Sequence, residues 1–288
     1  MISNWKKQND KKILKDLGKY GFSVVEKVLN LKKCDQLKLE LDKLEKLKRK
    51  QIKKKIKNVK NLKRSIDGGQ VFIRNLCLEK PSIFLETIDL KPIFNILKKI
   101  FNDVFILDGS CGSKSILIRD ISKHSGAHID SHIPVTNLSN TLDVVVYLCV
   151  DDFYKENGST KIWPMSHKTG IAIHKKNNCK KISSNKKHVY LNAKKGSVVF
   201  LLGHTWHQVG DCINNKSRWA ILNHYKRWWI KPTTDFTKCG KKIFDSLNLN
   251  QKILLGFSSF PPKFKNERFK TKFDEKEIPS EYNKALKI

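Results

Sequence analysis

The chain has 288 residues, 39% of them hydrophobic and 9% aromatic, enough to bury a sizeable core, and a formal charge of +31. No run of about 18 apolar residues occurs, and the charged segment 1–20 holds no apolar stretch of signal-peptide length, so a cytoplasmic protein with no membrane span is expected. Seven cysteines without a C-x-x-C pair do not describe a disulfide framework, and reduced thiols are expected.

Residues 1–66 carry 22 Lys/Arg against seven Asp/Glu, about half of the total charge. Only seven of the 58 basic residues are arginine, and the other 51 are lysine. Readers of phosphate and base edges lean on the planar guanidinium fork, which is scarce here. Lysine also travels with many Asn and Ile, as a compositional bias would produce. Nucleic acid is therefore not the expected partner; a small-molecule substrate is, and the oligomeric state is left open.

In chain order, 20–25 reads as a short strand entering the fold. The spacing of Leu37, Leu39, Leu41, Leu44 and Leu47 predicts a helix over 35–57 with lysines on its opposite face. Turn residues fill 65–69, 70–76 is strand-like, and 91–101 is helical, begun by Pro92. The texture then changes to short runs rich in Val, Ile and aromatics over 104–107, 113–119, 142–150, 160–163, 197–202 and 219–225, separated by Gly, Asn, Asp and Pro. Residues 175–187 read as an exposed loop, 236–247 as a helix, and Pro261-Pro262 as a stop. Many short, punctuated strands argue a mainly β sandwich or barrel with flanking helices, the jelly roll foremost. A lysine-rich helical extension over 1–66 is expected to pack on a core domain over 67–288.

The chemistry-bearing residues are His128-x-Asp130, His207 and Arg218. Two imidazoles and one carboxylate form the facial set that holds a non-haem Fe(II) with coordination positions open, and an arginine further on can clamp the far carboxylate of a keto acid. A lone His-x-Asp is weak. On a strand, however, residues two apart project from the same face and can reach one ion. The third ligand must come from a distant strand, and Gly203-His204-Thr205-Trp206-His207 offers two histidines. The turn-rich 210–217 predicts a hairpin that returns Arg218 beside the strand of His207, which favours His207; His204 reads as a wall residue.

The ordered set of His128-Ile129-Asp130, Glu156-Asn157-Gly158-Ser159-Thr160, Pro164-Met165-Ser166-His167-Lys168-Thr169-Gly170, and His207 followed by Gly210, Asn215, Ser217 and Arg218 resembles the phytanoyl-CoA dioxygenase family of Fe(II)/2-oxoglutarate oxygenases. Gly21-Phe22-Ser23-Val24-Val25-Glu26, Tyr225-Lys226-Arg227-Trp228-Trp229, Leu254-Leu255-Gly256 and Pro261-Pro262 resemble further family segments, so the likeness spans nearly the whole chain. It implies a double-stranded β-helix (jelly roll, cupin-like), with His128, Asp130 and His207 on iron and Arg218 on the distal carboxylate of 2-oxoglutarate. It also implies O2-dependent hydroxylation of a small organic or acyl-conjugated substrate, with succinate and CO2 as co-products. Asp130 matters within this class, because related halogenases resemble the pattern with a small residue there, and a carboxylate favours hydroxylation. One departure stands out: some members have a hydroxyl residue two places after the distal histidine, where this chain has Val209. The rival readings are a non-catalytic or differently metallated cupin-like protein and a basic nucleic-acid-associated protein.

Overall fold

The computed structural model describes residues 2–4, 10–55, 70–118, 126–131, 133–172, 177–185 and 187–259. The turn read over 65–69, Arg119, the ends of the lysine-rich segment at 175–176 and Pro261-Pro262 lie outside the described residues. The chain divides into two compact units, the first made of Met1–Arg74 and Cys111–Leu222, the second of Asn75–Ser110 and Asn223–Ile288.

The first unit holds two sheets. The larger runs in the order β1 (Ile2–Asn4), β2 (Phe22–Glu26), β8 (Val198–Leu202), β5 (Asp143–Cys149), β10 (Trp219–Arg227), β4 (Phe105–Ser115) and β3 (Gln70–Arg74), with β4 and β10 continuing along the chain into the second unit. The smaller has β6 (Lys161–Ile162) between β7 (Val189–Tyr190) and β9 (His207–Gln208). Side-chain alternation gives the large sheet two apolar faces. Phe22 and Val24 of β2, Val145, Tyr147 and Cys149 of β5, Val199 and Leu201 of β8, and Ala220 and Leu222 of β10 pack in one cluster with Ile162 of the small sheet. That is the space between the two sheets of a jelly roll.

Two helices, α1 (Asp10–Tyr20) and α2 (Leu31–Lys55), cover the other face. Ile13 and Leu17, four apart, are fully buried in α1, which charge alone had concealed in the sequence. In α2 the buried stripe is Cys34, Leu37, Leu41 and Leu44, whereas Leu39 and Leu47 are exposed. The spacing of three and four residues selects one face, and Leu39 and Leu47 fall off it. Polar ties fix the helix on the sheet. Trp219 Nε1 donates to Asp42 (2.8 Å), Lys114 pairs with Glu45 (2.8 Å), and Lys38 pairs with Asp151 (2.6 Å).

Three further readings are corrected. Residues 108–112, taken as a turn between two strands, lie inside the single eleven-residue strand β4, paired with β3 from Gln70 opposite Ser115 to Arg74 opposite Cys111. Its glycine at 112 sits under Leu41, so the absent side chain makes room for α2 and does not signal a turn. The segment 175–187 contains the helix α4 (Asn178–Ser184), whose buried Ile182 packs with Trp163 and Trp206. The helix read over 236–247 is broken at Gly240 into a 3-10 turn, Phe236–Lys238, and the helix α5 (Lys241–Ser246).

In the second unit, α3 (Lys91–Phe101) spans the residues the sequence indicated. Its Phe94 and Phe101 rings lie 5.1 and 5.3 Å from that of Phe105, which also meets Tyr225 edge-on at 6.0 Å. Two buried polar groups of β10 find partners there: Asn223 Nδ2 donates to the Thr87 carbonyl (2.9 Å) and the Tyr225 hydroxyl to that of Ile88 (2.8 Å).

Within the first unit, the turn after β8 buries His204 beside His167, ring centroids 5.8 Å apart, with neither nitrogen of His204 hydrogen-bonded among the described residues. Burial lowers its pKa from 6.5 to about 4.

Two outcomes are expected. Leu41→Ala lowers unfolding free energy by about 2–5 kcal/mol in urea denaturation, as for a fully buried leucine, while Leu39→Ala changes it by less than about 0.5 kcal/mol. Between pH 6.5 and 4 the unfolded chain protonates residue 204 and the folded chain does not, so stability is intact above 6.5 and falls as pH drops toward 4. His204→Phe flattens this slope, read as the pH dependence of the denaturation midpoint.

Candidate metal centre

The site is built from two backbone segments of the first unit. Residues 126–131 lie against the segment that follows β8, with His128 N donating to the His207 carbonyl and His207 N to that of His128, both at 2.9 Å. This reciprocal bridge sets the two histidines directly opposite one another. Two residues on, the amides of Asp130 and Ser131 both donate to the Gly203 carbonyl (2.7 and 3.0 Å). A side chain at 203 has no room, because its Cβ would stand 1.9 Å from Oδ1 of Asp143. That carboxylate in turn accepts the Ser131 hydroxyl. Ala127 and Ile129 turn into an apolar cluster with Trp163, Ile182 and Trp206, which leaves His128 and Asp130 on the opposite side.

Three donor atoms then converge. Nε2 of His128 lies 3.7 Å and Nε2 of His207 3.5 Å from the Asp130 carboxylate, the imidazole centroids are 4.4 Å apart, and one ligand atom from each residue falls within 4.8 Å of the others. The carbonyl of Gly126 faces His128 Nδ1 (3.1 Å) and that of Thr205 faces His207 Nδ1 (3.0 Å). A carbonyl only accepts, so each Nδ1 carries the proton and each Nε2 offers its lone pair inward. His207 is buried, while His128 and Asp130 are half-buried, so the cluster has one open side. Ligands about 2.1 Å from one ion and at right angles stand about 3 Å apart, so this N, N, O set closes on an ion through small side-chain rotations. Among the described residues these three alone form such a cluster. His204 is not part of it.

Arg218 reaches the same interior from the other sheet. The expected hairpin between β9 and β10 does not form: β9 pairs with β6 in the small sheet, while β10 lies between β5 and β4 in the large one. The segment 210–217 crosses over, bridging at Cys212 to Leu117 and Asn157. Arg218 is 1% exposed, and its guanidinium stacks over Phe153 at 3.9 Å and donates through Nη2 to the Gly158 carbonyl (2.9 Å). Gly158 has φ +78, and a Cβ there would stand 2.9 Å from Ser115, so the turn that presents this carbonyl requires glycine. Nε of Arg218 is buried with no hydrogen-bond partner among the described residues. Burial pulls the Arg218 pKa down to about 10, so the group keeps its charge at neutral pH.

The sequence did not single out Tyr147. Its phenol lies on the inner face of β5, hydrogen-bonds to Thr160, and is close enough to both Asp130 and Arg218 for each charge to shift its pKa; burial, the largest effect, raises it. The available signal was its inward phase in the alternating run 143–149. Val209, where some family members have a hydroxyl residue, is buried.

The chain matches the family model of phytanoyl-CoA dioxygenase (PhyH) over residues 17–220. No curated protein matches it in sequence. Among solved structures it is similar to the non-heme alpha-ketoglutarate-dependent epimerase SnoN from nogalamycin biosynthesis (12% identity, 76% of this chain and 83% of that one, TM-score 0.56). It is also similar to HygX from Streptomyces hygroscopicus with nickel and 2-oxoglutarate bound (14%, 75% and 86%, 0.56), and to the carbocyclase SnoK from nogalamycin biosynthesis (13%, 77% and 85%, 0.56). At such identities the likeness establishes the fold, a jelly roll. Among the described residues no helix is long and apolar enough to cross a membrane. With more than half of its length matched by the family model, the chain belongs to the phytanoyl-CoA dioxygenase family, whose oxygenases use iron and 2-oxoglutarate.

Proposed function

We propose that His128, Asp130 and His207 hold Fe(II), that Arg218 receives the distal carboxylate of 2-oxoglutarate, and that the enzyme hydroxylates a small organic or acyl-conjugated molecule. The observation that carries this reading is the convergence of two tautomer-fixed imidazoles and one carboxylate within 4.8 Å at a half-open position between the sheets. Bound iron supplies the oxygen activation, coupled to oxidative decarboxylation of the keto acid to succinate and CO2.

The chain's own residues bind, orient and exclude water. The backbone bridge fixes the spacing of His128 and His207, and the Gly203 carbonyl fixes Asp130. Two imidazoles and one carboxylate would hold Fe(II) and leave it accessible to a chelating keto acid. Arg218, charged, desolvated and braced by Gly158 and Phe153, is a strong anchor for a carboxylate because no water competes for its fork. Nε, otherwise unpartnered, supplies a donor for it. The apolar interior of Phe153, Ile162 and Leu222 keeps bulk water from the centre. Asp130 would supply a carboxylate to the ion where a halogenase-like pattern has a small residue, which would favour transfer of oxygen.

SnoN is named an epimerase and SnoK a carbocyclase, so the product distinguishes outcomes on this fold. Mass spectrometry of the converted substrate reads one added oxygen for hydroxylation, no change for epimerisation and two lost hydrogens for ring closure; the first is expected.

His128→Ala, Asp130→Ala and His207→Ala each abolish Fe(II)-dependent succinate formation, whereas His204→Ala retains it; the reverse result at 204 and 207 would overturn the ligand assignment. Arg218→Lys keeps the charge without the fork and raises the 2-oxoglutarate concentration at half-maximal binding about tenfold or more, read by anaerobic titration of the Fe(II) form. An unchanged titration removes Arg218 from the cosubstrate site.

A further inference from the structure

The turn between β8 and β9, Gly203-His204-Thr205-Trp206, carries two carbonyls that act on the donor cluster. That of Gly203 holds the Asp130 amide (2.7 Å), and that of Thr205 faces His207 Nδ1 (3.0 Å). Whatever holds this turn therefore holds the ligands. Neither ring nitrogen of His204 has a hydrogen-bond partner among the described residues, so that side chain does not fix the turn. Its neighbours do. Gly203 N donates to the Asp143 carbonyl (3.0 Å) and Thr205 N to that of Leu202 (2.8 Å).

Thr205 makes one contact more. Its side chain is fully buried, and Oγ1 donates to the Gly21 carbonyl at 3.0 Å. Thr87 and Thr141 are equally buried, but each spends its hydroxyl on the carbonyl three residues back, the ordinary local use of a threonine. Thr205 instead reaches a residue 184 positions away, at the corner between α1 and β2. Gly21 has φ +87, donates its amide to the Leu17 carbonyl (2.9 Å) and accepts Leu202 N as well (3.0 Å). A Cβ there would collide with Thr205 Oγ1 and stand 2.7 Å from His167 Nδ1, so this close approach requires glycine. Two more bonds dock the corner: Met165 N donates to the Tyr20 carbonyl (3.0 Å), and His167 Nε2 faces that of Gly18 (3.2 Å). Between those two residues, Ser166 Oγ accepts Trp206 N (2.9 Å), which closes the circuit back onto the turn.

Resting on the iron reading above, we infer that Thr205 is a positioning residue of the metal centre: its hydroxyl anchors the segment that carries His207 to the α1–β2 corner, and the N-terminal helix thereby governs how tightly the ion is held. The division within the residue is clear. Its carbonyl chooses the His207 tautomer, and its hydroxyl fixes where that carbonyl stands. The branched Cβ of threonine limits the rotamers of Oγ1, so the anchor has little play. α1 contributes no ligand, yet its last turn is bonded into the circuit that sets one.

The test uses the full chain and the metal alone. Mn(II) affinity is measured from the EPR signal of the free ion, the ligand geometry from the visible spectrum of the Co(II) form, and stability from the melting temperature of the metal-free protein. Thr205→Val removes the donor but leaves the Gly21 carbonyl its bond from Leu202 N, so the variant folds; its Mn(II) affinity is expected to fall about tenfold, with altered Co(II) bands. Thr205→Ser keeps the donor and is expected to stay close to wild type. Thr87→Val loses a buried hydroxyl bond in the second unit and is expected to lower the melting temperature with Mn(II) affinity intact. Unchanged Mn(II) affinity in Thr205→Val, an equal loss in Thr87→Val, or a loss that Thr205→Ser shares in full each overturns the inference. Failure of the wild type to bind Mn(II) overturns instead the reading of the centre.

Discussion

The reciprocal backbone bridge between His128 and His207 is the constraint on which the donor cluster depends. Side chains alone would not bring together residues 79 positions apart in sequence with their imidazoles 4.4 Å from each other. Main-chain hydrogen bonds do so, because paired residues on neighbouring antiparallel segments have their side chains close together by geometry. The same segment places Asp130 on the Gly203 carbonyl, and Gly203 is held in turn by the carbonyl of Asp143 at the start of β5. The centre thus inherits its precision from the large sheet. Each imidazole is oriented by a carbonyl only two residues away, at Gly126 and Thr205, so no distant element is needed to set the tautomers.

The two sheets contribute different things. The small sheet and the segment bridged to it carry all three donor atoms, while the large sheet supplies Arg218 and Tyr147 from its inner face. The inner faces therefore carry polar groups near the donors and apolar side chains along β5 and β8. The helices on the outer face keep the large sheet in place: Asp42 holds the indole of Trp219, the residue next to Arg218, so the anchoring of α2 reaches the interior through one peptide unit.

The sequence made the donor set legible because His-x-Asp spacing maps directly onto one face of an extended segment, and the period of two survives even where only a single bridge forms. The strands 142–150, 197–202 and 219–225 were legible for the same reason, being β-branched runs bounded by turn residues. What failed was punctuation. Glycines at 109 and 112 read as a turn although one of them only makes space for Leu41, and the turn-rich 210–217 read as a hairpin although it carries the chain from one sheet to the other. Both errors come from long-range packing that local composition does not encode. Leu39 and Leu47 were assigned to the buried stripe by residue type, whereas helical phase places them in solvent. Tyr147 was invisible beside the donor set because its place depends on which face of a strand it shares.

The seven cysteines are all free, and burial raises the pKa of Cys34, Cys77, Cys111, Cys149, Cys212 and Cys239. Since the thiolate is the form that coordinates soft metals and reacts with oxidants, a sulfur kept protonated is a poor competitor for an ion and a slow target for peroxide. Cys111 is the instructive case, because burial is the largest effect on its thiol and the charge of Asp130 adds to it. A sulfur can therefore line the inner face of the sheet as inert filler, and the interior stays hard in its ligand character without excluding cysteine from its wall.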